Sequence, residues 1–115
     1  MTREQIASMI ESIGVPYAFD HFGEKDGEHP QGPPFICFLY TDRSDFHADG
    51  VNYVHIVQLS IELYTDEPDF ELEGAVEAAL TAAELTFERP EQVFIDSERM
   101  YQTTYNTEVL LTDAE

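Results

Sequence analysis

A chain of 115 residues with 24 acidic and only 5 basic side chains carries a formal charge of −19, which excludes a surface that grips phosphate backbones or anionic membranes. Hydrophobic residues still make up 43% of it and no low-complexity tract interrupts them, so one folded domain over 1–115 is predicted rather than an acidic disordered tail. A single cysteine rules out an internal disulfide, and no apolar run approaches the ~20 residues that span a bilayer.

The opening Met-Thr-Arg-Glu-Gln lacks the basic-then-apolar layout of a signal peptide, and cytoplasmic residence is expected. Thr2 and Gln5 have capping-box spacing, and Ile6, Met9, Ile10 and Ile13 follow at helical intervals. A helix over 2–13 is predicted, with Gly14 as a left-handed cap and Pro16 preventing continuation. Residues 17–22 alternate aromatic with small or polar side chains, the pattern of a strand with one buried face. The stretch 23–34 holds three Gly and three Pro and reads as a long loop, either solvated or ordering against a partner.

Residues 34–41 are nearly all apolar and read as a strand covered on both faces, with Cys37 a small buried residue inside it. Asp49-Gly50 is a hairpin signal that sets Ala48 opposite Val51, His47 opposite Asn52 and Phe46 opposite Tyr53. In the second arm Val57, Leu59, Ile61 and Leu63 alternate with polar neighbours and face the core. Asp66, Glu67, Pro68 and Asp69 open a second helix. Its buried stripe is Leu72, Val76, Leu80 and Ala83, with Ala75 and Ala79 beside it. Residues 86–89 and 93–95 flank a turn at Pro90, and a last strand over 98–111 puts Tyr101, Thr103, Tyr105, Thr107, Val109 and Leu111 on one face. The fold class is therefore α+β: a mostly antiparallel sheet with two helices on one side, in the order α-β-β-β-β-α-β-β. Strands of a dozen residues exceed what so small a core covers, and their ends are expected to project as subunit-joining edges.

The chain offers little for chemistry. His21, His29, His47 and His55 form no HxH, HExxH or zinc spacing, and the acids of 42–49 do not match a calcium loop. There is no nucleophile elbow and no phosphate-cradling glycine loop, and with 24 acids any carboxylate pair is expected by chance. No catalytic, cofactor or metal residue is expected, and the protein is not read as an enzyme.

The runs GVPYAFDHF (14–22), PPFICFLYTDRSDFHADGVNY (33–53), QLSIELYTDEPDFELEGAVEAAL (58–80) and SERMYQTTYNTEVLL (97–111) together resemble the tail terminator or tail-completion proteins of long-tailed phages and prophages. The likeness is one of pattern and order over nearly the whole chain; no single motif carries it, and the chain is more acidic than that family. It implies a homohexameric ring that caps the tail tube beside the major tail protein, docks a head connector or stopper protein, and lets DNA pass through its lumen. It also implies assembly in the host cytoplasm and residence in the virion neck. The negative skin agrees with the last duty, since phosphates do not adhere to it. Candidate interface residues are Phe46, His47, Asp49 and Tyr53 at the hairpin tip and Asp69, Glu73 and Glu77 on the second helix. Tyr101 and Tyr105 on the last strand complete the set, as interface or as core. A different reading is an acidic DNA mimic that inhibits a DNA-binding protein; the neutral Gln102, Thr104 and Asn106 face counts against it.

Overall fold

The computed structural model describes residues 1–19, 32–48, 51–90 and 92–112, and for 42–48 and 51–55 the backbone alone. Helix α1 (Arg3–Glu11) begins at the predicted capping box: Gln5 N donates to Thr2 Oγ1 at 3.1 Å and Thr2 N to Gln5 Oε1 at 2.9 Å. Its Ile6 and Ile10 are fully buried, and Gly14 takes a φ of 100° just beyond the Ser12 cap, as glycine alone does without strain.

The sheet is built from β1 (Tyr17–Phe19), β2 (Phe35–Ala48), β3 (Val51–Thr65), β4 (Phe87–Glu88), β5 (Gln92–Ile95) and β6 (Met100–Leu111), with α2 (Phe70–Ala82) between β3 and β4. The spatial order is β1-β2-β3-β6-β4, and β5 also pairs with β6. The sheet is mixed: β1 runs parallel to β2, while the β2–β3, β3–β6, β4–β6 and β5–β6 pairings are antiparallel. The α+β class and the two helices stand as predicted; the order becomes α-β-β-β-α-β-β-β. The reason is local. A bulge between Tyr40 and Arg43 absorbs the polar Thr41 and Asp42 without ending the strand, so two expected strands are one. Downstream, Pro90 lacks the N–H a continuous strand needs, and the outer neighbour of β6 is split into β4 and β5.

One face of the sheet carries both helices. Ile6 and Ile10 of α1 and Val76 and Leu80 of α2 pack with Ile36, Phe38, Val57, Leu59, Ile61, Leu63, Tyr105, Val109 and Leu111 in a single buried cluster. The period-2 reading of β3 and β6 holds throughout that face. The other face has its own small cluster, in which Phe35, Cys37 and Met100 are buried with Tyr64 against them. The Phe35 and Tyr64 rings stack there at 4.8 Å. Cys37 is thus buried as expected, on the side away from the helices.

The β2–β3 ladder outruns the rest of the sheet. The last pairing of β3 with β6 is His55 with Leu111, and β1 covers only residues 36–38 of β2. Residues 51–54 of β3 therefore pair with β2 alone among the described residues. The molecule measures 51 × 32 × 23 Å. Its radius of gyration is 15.2 Å, beyond the ~13 Å of a compact 100-residue domain.

Candidate assembly interface

The arm follows the predicted hairpin register at Ala48–Val51 and His47–Asn52, but Phe46 pairs with Val54 instead of Tyr53. A second bulge between Phe46 and His47 leaves Tyr53 as the extra residue, which a two-residue turn and strict alternation do not foresee. Phe46, His47 and Tyr53 are placed on the arm by backbone; their side chains, Asp49, and the loop expected over 23–34 up to residue 31 lie outside the described residues.

The three acids expected at an interface, Asp69, Glu73 and Glu77, are engaged within the chain. Asp69 is the N-cap, its Oδ1 accepting from Leu72 N at 3.0 Å. Glu73, a candidate interface residue, is only 5% exposed in the single chain. It shares the inner side with Val76 and Leu80, where Arg89 Nη2 donates to its Oε1 at 2.7 Å and Gln92 Nε2 to its Oε2 at 2.8 Å. Gln92 Nε2 also reaches Thr103 Oγ1 at 2.8 Å, so one buried carboxylate ties α2 to β5 and β6. A buried carboxylate is tolerated only with such paired donors.

Of the two alternatives left open for Tyr105, interface or core, it takes the core: it is fully buried, with its ring edge-on to Phe87 at 5.7 Å. Its hydroxyl donates to Glu77 Oε2 at 3.1 Å, with the Glu73 carbonyl at 3.4 Å, which occupies Glu77 as well. Burial, with the Glu77 carboxylate beside it, pushes the Tyr105 phenol far above its ordinary pKa and keeps it a donor. Tyr101 is half-buried beside Phe94, ring centroids 5.0 Å apart.

What sequence reading missed is apolar surface. Phe70 on α2 is 82% exposed, and Val93 and Phe94 on edge strand β5 are 44% and 45% exposed. The signal was present: consecutive apolar residues on one short strand point to opposite faces, and an edge strand with a core on one side cannot bury both. The uncovered face of β6 shows Gln102, Thr104 and Asn106 half-buried and neutral, with Glu108 exposed. Near its start Gln102 Nε2 donates to the Tyr64 hydroxyl, which donates in turn to Glu62 Oε1 at 2.9 Å. Burial first, and then Glu62, push the Tyr64 phenol well up.

Among the described residues no three His, Cys, Asp or Glu side chains converge to hold a metal ion, and no helix is long and apolar enough to cross a membrane. Neither any family model nor any curated protein matches the chain.

Proposed function

We propose that this chain is a structural subunit of a phage head–tail junction, a ring-forming tail terminator that caps the tail tube and passes DNA through its lumen. The observation that carries the proposal is the two-stranded arm reaching past the sheet on a body charged to −19. An arm with no third strand among the described residues gains little stability by itself, because an isolated hairpin is marginal in water. It gains by lying against a neighbouring copy, and a ring requires such head-to-tail contacts between unlike surfaces. The exposed Val93 and Phe94 on the opposite edge offer apolar area for the other half of that contact.

The charge addresses the lumen. A passing duplex meets a wall that releases no counterions to it and therefore does not hold it. The same charge speeds docking to a basic head connector. On this reading the protein is non-enzymatic, assembles in the host cytoplasm beside the major tail protein, and ends in the virion neck. A DNA mimic needs carboxylates repeated along one face, and the neutral run on β6 disfavours it.

Deleting the gene from its phage or prophage is expected to give tails of uncontrolled length and filled heads without tails, counted by electron microscopy. Normal virions from the deletion overturn the proposal.

A further inference from the structure

Strand β5 pairs with β6 on one side and with no other strand among the described residues. Its sequence, Gln92-Val93-Phe94-Ile95, holds no charge and no proline, the devices that usually blunt an exposed edge. Val93 and Phe94 are nearly half exposed, yet the strand is held firmly. Gln92 is tied to Glu73 and Thr103, and the Ile95 carbonyl accepts from Arg99 N at 2.7 Å across the turn into β6. That bond turns the Ile95 peptide toward β6, so strand alternation aims the N–H and C=O of Gln92 and Phe94 outward. A fixed edge with main-chain groups pointing away from its own sheet is a template for one more strand.

The arm carries a strand of matching length and character. From Val51 to Val54, β3 has β2 as its only partner among the described residues, and these four residues are uncharged like the four of β5. The arm's other edge is different, because Asp42, Arg43 and Asp45 interrupt β2 there. The two uncharged edges do not meet within one chain. Strand β5 lies along residues 100–103 of β6, while the arm starts past Leu111, about 26 Å further along that strand.

Charge argues for a second copy as the occupant. Two bodies of −19 repel over most of their surface, so copies meet only where acids are absent or offset. Three of the chain's five basic residues stand at these two elements: Arg43 on the arm, and Arg89 and Arg99 on either side of β5. We propose that the free edge of β3 in the arm of one copy adds to the outer edge of β5 in the next, main chain to main chain. The sheet then continues from subunit to subunit, through two unlike surfaces as a head-to-tail contact demands. This inference rests on the ring-forming reading above and names the strand pair that makes its contact.

The test mixes two full-length variants, isotope-labelled Asn52→Cys and unlabelled Val93→Cys, joins them with a short bis-maleimide and weighs the products by mass spectrometry. Conjugates holding one chain of each kind are expected to dominate, while the parent chain, whose Cys37 is buried, stays unconjugated. Glu4→Cys on α1 mixed with Val93→Cys gives only the background of chance collisions. Adding Phe94→Pro to the Val93→Cys chain removes one outward N–H and leaves the ladder to β6 intact. It is expected to lower the mixed yield about tenfold, whereas Phe94→Leu, which keeps the N–H, retains it. Phe94→Pro melting close to the parent shows that its loss is not unfolding. Equal yield from the α1 control, Val93→Cys joined to itself in place of the mixed product, or a yield unmoved by Phe94→Pro overturns the proposal. Copies that fail to join in this way remove the strand pairing alone, and the gene deletion still decides the tail reading. Normal virions from the deletion remove the tail reading and leave the pairing standing.

Discussion

The Tyr105 hydroxyl bridges Glu77 and the Glu73 carbonyl from inside the core, and its position makes folding sensitive to alkali. The folded phenol titrates above the 10.0 of a free tyrosine, for reasons of burial first and the Glu77 carboxylate second. A raised folded pKa means that the stabilisation is whole below the unfolded value and is lost as pH rises past it toward the folded one. Thermal stability is therefore expected to fall above pH ~10, by calorimetry. In Tyr105→Phe that alkaline decline is shallower, with a cost near neutral pH of about 1 kcal/mol. An unchanged alkaline limb in the variant shows that other groups govern it. The residue types on the last strand were readable in advance, since alternation put Tyr105 on the inward face. The hydroxyl's partners were not, because they sit 28 and 32 residues away on α2.

Between elements, the Glu73 carboxylate couples α2 to β5 through Gln92 and to the β4–β5 connection through Arg89. Removing the cation strands a carboxylate that is 7% exposed at its side chain. Arg89→Ala is expected to cost about 1–3 kcal/mol in urea unfolding, while Glu73→Gln, which leaves no buried charge, costs less. Equal costs would show that the pair is a solvated surface contact. The helix ends show how far local signals reach. Thr2 and Gln5 announced the start of α1 because both halves of a capping box lie within four residues. The end of α2 had no such sign. Glu84 takes the left-handed position that glycine usually fills, at φ 62°, as Leu85 N closes onto Leu80 O.

At the scale of the whole molecule, the excess negative charge opposes the compact state through self-repulsion, and salt relieves it. The melting temperature is expected to rise from 0.1 to 1 M salt, as the screening length shrinks from ~10 to ~3 Å. Scanning fluorimetry across that range checks it; a flat response contradicts dense like-charge packing on the surface. The arm exists because β2 continues through its bulge after β1 has ended and beyond the reach of β6.

The amino-acid sequence by itself determined the α+β class, both helices, the buried faces of β3 and β6 and the start of the hairpin, since each follows from periodicity or from chemistry within a few residues. Tertiary structure alone decided that β1 is parallel, that two expected strands are one, and that Glu73 and Glu77 find partners within the chain. Those outcomes depend on which distant elements meet, and on whether a buried polar group finds its partner there. A carboxylate on a helix reads as surface until an arginine 16 residues further on pairs with it under the sheet's edge.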